Sequence, residues 1–180
     1  MILDPALVEA CAPTVTVSTV QAIVERESHG NPFAVNLNGG NPFKETTTYD
    51  AARARVAYAT AHHMTADVGL MQINSSHIGK DGLTVEALLD PCTNLRAGAR
   101  ILTSNYEAAL LNYPAGQPAL MAALSMYNTG NFKSGFANGY VAQYYVQPSH
   151  TRLTPHNKTA KPAVYTANPI VFERNVSDEK

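Results

Sequence analysis

The chain has 180 residues, 45% of them hydrophobic, and a formal net charge of −1 at pH 7. This length suffices for one domain with a core of its own. The near-zero charge gives no electrostatic footprint for nucleic acid or for an anionic membrane surface. No apolar run reaches the roughly 18–20 residues of a membrane span. The N-terminal stretch MILDPALVEACAPTV lacks the basic start and long apolar segment of an intact signal peptide, which favours a mature sequence with an added initiator Met.

Hydrophobic spacing predicts a mainly helical chain. Ser18 followed by Gln21 is a capping-box pattern, so the first helix is expected from Ser18 to Gly30. Further helices are predicted over residues 50–64, 85–89, 93–112, 118–128 and 138–147. The segment 33–49, rich in Gly, Asn and Thr, is expected to be irregular chain or a small hairpin.

The composition changes near the C-terminus. Residues 148–180 contain several prolines and many polar residues without periodicity, which is typical of a mobile segment. We therefore predict a folded domain over residues 1–147 and a flexible tail over residues 148–180.

The first predicted helix carries two glutamates, Glu25 and Glu27, near its end. Glu27 continues the apolar stripe of Val20, Ile23 and Val24, whereas Glu25 lies about 200° around the helix from Ile23. Burial raises the pKa of a carboxyl group, and a proton held near neutral pH is what a general acid needs. The pattern by itself also fits a structural glutamate that is hydrogen-bonded at a helix end.

The chain has two cysteines, Cys11 and Cys92. They could form a disulfide or remain two buried thiols. A disulfide would close a loop of about 80 residues, and the chain-entropy model then gives roughly 4–5 kcal/mol as an upper estimate of its stabilisation. Neither cysteine belongs to a CxxC pair, so no zinc site is predicted.

Three separated motifs occur in order along the chain. They are ESHGNPFAVN from Glu27 to Asn36, GLMQIN from Gly69 to Asn74, and ALSMYNTGN from Ala123 to Asn131. Together they resemble the lysozyme-like lytic transglycosylases of the SLT type, whose signatures are E-S-x-x-N-P, G-L-M-Q and Y-N-x-G. The resemblance covers roughly residues 11–145. It implies a mainly α, lysozyme-like α+β fold, in which a helical bundle with a small irregular or β-hairpin region surrounds a glycan-binding cleft.

The spacing of the motifs indicates which branch of the lytic transglycosylases the chain resembles. Glu27 and Gln72 are separated by an additional predicted helix, and the stretches DVGLMQIN and DPCTNLRAG resemble the peptidoglycan-cutting subunit of type IV secretion and conjugation systems. This branch often has a cysteine at each corresponding place. The resemblance therefore implies a Cys11–Cys92 disulfide and an oxidising, periplasmic location.

The resemblance also assigns roles to single residues. Glu27 matches the catalytic acid and base, and no metal or cofactor is implied because water is not the nucleophile. Residues matched to substrate binding or its support are Ser28, Asn36, Met71, Gln72, Tyr127, Asn128 and Tyr140. Among these, Ser28 is expected to fix the helix end, Asn36 to lie near a substrate acetamido group, and Met71 to form an apolar wall beside Gln72.

The reaction implied is cleavage of the β-1,4 bond between N-acetylmuramic acid and N-acetylglucosamine, with closure of a 1,6-anhydro ring. The implied partners are peptidoglycan strands and type IV secretion subunits, and the tail is the candidate contact for those subunits. Two alternatives stay open. One is a hydrolase of the goose-type lysozyme kind, which would use Asp67 as a second carboxylate. The other is a non-catalytic glycan-binding component of the assembly.

Overall fold

The computed structural model describes residues 3–40, 45–80 and 82–145. The described residues fall into two compact units, one up to Arg100 and one from Ile101 onward. Within these ranges no helix combines the length and apolar character needed to cross a membrane. The predicted tail, 148–180, lies outside the described residues, and the single domain over 1–147 stays a prediction.

The first unit is mainly helical. Its helices are α1 (Pro5–Cys11), α2 (Val17–Ser28), α3 (Tyr49–Ala61), α4 (Val85–Leu89) and the beginning of α5 (Pro91–Ala109). Side-chain oxygens of Asp4, Thr48 and Thr84 accept hydrogen bonds from backbone N–H groups in the first turns of α1, α3 and α4. These bonds satisfy donors that have no partner within the helix.

The capping box predicted at Ser18 is wrong. Helix α2 begins one residue earlier, at Val17, with Thr16 in the N-cap position. The amide of Gln21 contacts the chain before α1, where its Nε2 donates a 3.0 Å hydrogen bond to the carbonyl oxygen of Leu3. The helix ends close to the predicted place, where His29 and Gly30 both adopt positive φ angles of 51° and 78°.

A small antiparallel sheet accompanies these helices. Its strands are β1 (Val35–Leu37), β2 (Ala66–Val68) and β3 (Ile73–Asn74), in the order β1-β2-β3. The described part of segment 33–49 therefore supplies one strand, whose partner follows α3. The hairpin lies between β2 and β3 instead, and its turn is formed by Gly69–Gln72, which is the GLMQ motif itself.

The core of the first unit includes Val20, Ile23 and Val24 of α2, none more than 1% exposed. Cys11 and Cys92 form a disulfide that joins the end of α1 to the first turn of α5, with 5.1 Å between their Cα atoms. The pairing that the resemblance implied is confirmed, and the alternative of two buried thiols is excluded.

The second unit contains the rest of α5, then α6 (Gln117–Thr129), α7 (Ser134–Ala137) and a 3-10 turn at Val141–Tyr144. Helix α5 ends at Ala109, three residues before the predicted end. The continuous helix predicted over 138–147 is wrong for its described part. Gly139 there has a φ of 81°, which an α-helix does not accommodate. The fold class, mainly helical with a small β region, is confirmed.

Candidate active site

The last turn of α2 distinguishes its two glutamates. Glu25 is exposed, and one of its carboxylate oxygens lies 3.7 Å from Nδ1 of His29. Glu27 is half-buried, as its place on the apolar stripe predicted. The last turn of α2 therefore holds one carboxyl group partly removed from water, and that group belongs to Glu27.

Ser28 fastens this helix end to the turn of the second motif. Its side chain is 3% exposed, and its hydroxyl donates a 2.8 Å hydrogen bond to the carbonyl oxygen of Leu70. The same hydroxyl lies 3.2 Å from the carbonyl oxygen of Val24. Residues from the first and second motifs are thus joined directly inside the first unit.

Gln72 closes the Gly69–Gln72 turn and is 8% exposed. Its Nε2 donates to the carbonyl oxygens of Gly69 at 2.8 Å and Ala34 at 3.2 Å. Its Oε1 accepts a 2.8 Å hydrogen bond from Nδ2 of Asn36, whose side chain is exposed on β1. Gln72 therefore fixes the direction in which the exposed amide of Asn36 points.

Polar side chains continue across the sheet from Asn36. Asp67 on β2 lies directly opposite Asn36 on one side and Asn74 on the other, so the three side chains share one face. Asn74 donates a 2.8 Å hydrogen bond from Nδ2 to Oδ1 of Asp67. Burial raises the pKa of Asp67, and hydrogen bonds from Asn74 and Asn38 oppose that rise.

The third motif lies in the second unit, at the end of α6. Tyr127 is half-buried, and the exposed Asn128 accepts a 3.1 Å hydrogen bond from Nδ2 of Asn138. Tyr140 is 9% exposed, and its hydroxyl accepts a 2.7 Å hydrogen bond from the hydroxyl of Tyr144. These contacts order the side chains of Asn128 and Tyr140 within the second unit.

Residues 4–146 match the family model of the transglycosylase SLT domain. The chain belongs to the SLT transglycosylase family. The predicted family is thereby confirmed. No solved structure matches the chain significantly.

Three curated relatives give the extent of the similarity to other SLT family members. The type IV secretion system protein virB1 of Brucella abortus (strain 2308) is 35% identical over 166 residues, which are 92% of this chain and 66% of that protein. Protein virB1 of Agrobacterium fabrum (strain C58) is 40% identical over 153 residues, 84% of this chain and 60% of the relative. Protein virB1 of Rhizobium radiobacter is 41% identical over 145 residues, which are 81% of this chain and 59% of that protein. The chain thus spans less than two thirds of the length of these relatives.

Within this SLT chain, the first unit brings together the sequence-predicted residues Glu27, Ser28, Asn36, Met71 and Gln72, and the second unit carries Tyr127, Asn128 and Tyr140. Their roles toward a substrate stay predictions. For Met71 the structure changes the expected role. Its side chain is fully buried, so it supports the turn from inside the unit and does not form a wall open to a ligand.

Sequence reasoning missed Asn94 in the first turns of α5. This residue is 1% exposed, yet its side chain is polar. A signal was present, because Asn94 shares a helix face with Gly98 and Leu102, four and eight positions later. A polar residue on an apolar stripe that also contains a glycine indicates a buried hydrogen-bonding group beside a close approach of another segment.

Proposed function

We propose that this chain is a lytic transglycosylase that cleaves the β-1,4 bond between N-acetylmuramic acid and N-acetylglucosamine in peptidoglycan. The observation that carries the proposal is the 2.8 Å hydrogen bond from Ser28 to the carbonyl oxygen of Leu70. This bond holds the helix end that carries Glu27 against the turn that carries Gln72. A half-buried carboxyl group thereby lies on a fixed element beside a rigid amide-bearing sheet.

In the proposed reaction Glu27 first acts as an acid. It protonates the glycosidic oxygen as the bond from that oxygen to the anomeric carbon of the muramic residue breaks. The 2-acetamido group of the same sugar stabilises the positive charge that develops at the anomeric carbon. Glu27, now a carboxylate, then takes the proton of the muramic 6-hydroxyl, and that oxygen bonds to the anomeric carbon. The products are a free 4-hydroxyl and a 1,6-anhydro ring, so no water is consumed.

The amides of Asn36 and Gln72 suit a sugar substrate. Sugars present many hydroxyl and acetamido groups, which fixed amide groups recognise by hydrogen bonds. We propose that Asn36, oriented by Gln72, contacts an acetamido group of the glycan. Tyr127, with Asn128 as its support, and Tyr140 are proposed to take part in glycan binding, in keeping with the family resemblance.

The setting is proposed from the relatives. The name of the Brucella abortus relative, a type IV secretion system protein, supports a role in opening the cell wall locally for such a system. The Cys11–Cys92 disulfide is suited to the oxidising periplasm. We propose contacts with other subunits of the system, for which the 148–180 segment is a candidate by its composition.

The experiment is mass spectrometry of the fragments released from purified peptidoglycan by wild type, Glu27→Gln and Glu25→Gln. Glu25→Gln is a matched control, because it makes the same change two residues away at an exposed position. We expect anhydro-muramyl fragments from wild type and Glu25→Gln and none from Glu27→Gln. Release by Glu27→Gln at the wild-type rate would overturn the assignment, and no release by any of the three would favour a glycan-binding component.

A hydrolase is the second candidate, favoured by the position of Asp67. Its carboxyl group lies beside Asn36 on the same sheet face, and burial raises its pKa. A second carboxylate could activate water, and the products would then carry a reducing end with added water. Asp67→Asn separates the two candidates. A transglycosylase that depends on Glu27 alone keeps most of its turnover, whereas a hydrolase loses nearly all of it while remaining folded.

A further inference from the structure

We propose that Asn94 is a positioning residue for the reaction, because its buried carboxamide sets the conformation of the Gly69–Gln72 turn. The inference rests on the proposed transglycosylase function. The polar atoms of Asn94 contact none of the residues matched to substrate binding, apart from the backbone N–H of Met71. Its effect on catalysis therefore passes through the turn to its neighbours.

The carboxamide of Asn94 makes three hydrogen bonds inside the first unit. Its Oδ1 accepts from the backbone N–H of Met71 at 2.8 Å. Its Nδ2 donates to the carbonyl oxygens of Val68 at 2.9 Å and Leu88 at 2.8 Å. Both amide hydrogens are thus used, and a reversed amide would place its oxygen against two carbonyl oxygens. One orientation is therefore specified.

Two of these three bonds hold the GLMQ turn, one just before it and one within it. Val68 is the last residue of β2, before the turn, and Met71 lies within it. Leu88 belongs to α4, so Asn94 also ties the turn to a second element. A buried amide whose partners come from three segments fixes their relative position, since an unmade hydrogen bond in the interior costs about 1–3 kcal/mol.

Two glycines let the turn approach α5 closely. A Cβ atom on Gly69 would lie 2.6 Å from the carbonyl oxygen of Leu88 and would also collide with the amide of Asn94. A Cβ atom on Gly98, one helical turn after Asn94, would lie 2.8 Å from the Cβ of Met71. The turn therefore rests directly on the helix face that carries Asn94.

The position of the turn determines the position of the proposed catalytic elements. The carbonyl oxygen of Leu70, in the turn, accepts the hydrogen bond from Ser28 beside Glu27. Gln72, at the end of the turn, holds the side chain of Asn36. A displacement of the turn would thus move the helix end of Glu27 relative to Asn36, and small misplacements of this kind can lower a rate on the order of 100-fold.

The test compares wild type, Asn94→Asp and Val8→Ala on soluble, uncrosslinked peptidoglycan strands. Asn94→Asp is nearly isosteric but, when ionised, cannot donate to Val68 or Leu88. Val8 is fully buried on α1, so Val8→Ala removes core packing from an element other than the turn. All rates are measured well below the Tm of each protein, so that the folded fractions are equal.

We expect Asn94→Asp to lower kcat on the order of 100-fold at a pH where the introduced carboxyl group is ionised, with little change in KM. The ratio of its kcat to that of wild type should rise as the pH falls, because a protonated carboxyl can again donate one hydrogen bond. For Val8→Ala both kcat and its pH dependence should follow wild type. Equal kcat values for Asn94→Asp and Val8→Ala, or a ratio independent of pH, would overturn the inference.

A measurement on wild type alone covers the case in which the variant does not fold. The Met71 amide, held by Asn94, should exchange its hydrogen with solvent only on global unfolding. Rapid exchange at Met71 in the folded protein would refute the proposed positioning role. Absence of anhydro products from wild type is a different failure, because it would overturn the proposed function and with it the role of Asn94 in catalysis.

Discussion

Ser28 and Leu70, 42 residues apart in the chain, are joined by a 2.8 Å hydrogen bond from the Ser28 hydroxyl to the Leu70 carbonyl oxygen. Both groups are buried. The bond connects the first motif to the second, although the two motifs are separated by helix α3 and a strand. The serine after the proposed catalytic glutamate thus serves as a structural link between two elements of the site.

Ser28→Ala should destabilise the first unit and slow the reaction. The substitution leaves the carbonyl oxygen of Leu70 buried without this hydrogen bond, which costs about 1–3 kcal/mol. Glu27 would then sit on a less firmly held helix end, so kcat should fall. Chemical denaturation gives the change in the free energy of unfolding, and fragment release from peptidoglycan gives the rate.

The matched control is Ser18→Ala on the same helix. Ser18 is exposed, and its hydroxyl lies 3.3 Å from the hydroxyl of Thr16. Removing it should change the free energy of unfolding by a few tenths of a kcal/mol, as surface substitutions generally do. If the two variants were equally stable and equally active, the link between Ser28 and Leu70 would have no measurable role.

The helices were predictable because their signals are local. Helix α4 occupies the predicted range 85–89 with Thr84 as its N-cap, and α6, predicted over 118–128, ends at Thr129 just before Gly130. Glu27 was separable from Glu25 by helical spacing alone. The start of α2 was not predicted correctly. Ser18 and Thr16 are both good N-cap residues, and the sequence pattern favoured Ser18, whereas Thr16 is the N-cap.

Local sequence patterns could not predict the pairing of the sheet strands or the role of the buried Asn94 amide. Strand β1 pairs with a strand that follows helix α3, and a three-residue strand carries too little alternation to reveal its partner. In the sequence Asn94 looks like an ordinary polar residue, because its role becomes visible only from its contacts with the Gly69–Gln72 turn. Its role depends on Val68 and Leu88, which lie 26 and 6 positions away in the chain.

Gly69→Ala should be strongly destabilising. Gly69 has a φ of 80°, and an added Cβ would lie 2.6 Å from the carbonyl oxygen of Leu88. Overpacking of a core position costs roughly 1–3 kcal/mol, in addition to the strain of the positive φ. The measurement is the free energy of unfolding by urea denaturation.

Gly79→Ala separates these two contributions. Gly79 has a similar φ of 85°, but an added Cβ there would meet no atom within 4 Å. Gly79→Ala should therefore report the backbone strain alone, roughly 1 kcal/mol or somewhat more. The excess cost of Gly69→Ala over Gly79→Ala measures the close packing of the turn, and equal costs would contradict that packing.

Reduction of the Cys11–Cys92 disulfide should lower the Tm. The cysteines are 81 positions apart, so the cross-link restricts a large part of the unfolded chain. The chain-entropy model gives about 4–5 kcal/mol as an upper limit. Thermal unfolding with and without a reductant measures the effect. A Cys11→Ser and Cys92→Ser double variant should resemble the reduced protein and should not respond to the reductant.

Asp67 should make the protein less stable as the pH rises from acid. Burial raises the pKa of Asp67 in the folded protein above its ordinary value of 3.8, which applies to the unfolded chain. Between these two pKa values the folded state binds more protons than the unfolded state, so the free energy of unfolding falls with increasing pH. Above the raised pKa the loss is complete, because the folded state then carries the partly buried charge.

Asp67→Asn isolates this contribution. The substitution removes the titrating group, whereas Glu86 and Asp90, whose pKa values are lowered, are present in both proteins. The free energy of unfolding of Asp67→Asn minus that of wild type should therefore increase from about pH 4 to pH 7. Urea denaturation across this range measures the difference. A difference independent of pH, or one that decreases, would show that hydrogen bonds from Asn74 and Asn38 outweigh the effect of burial.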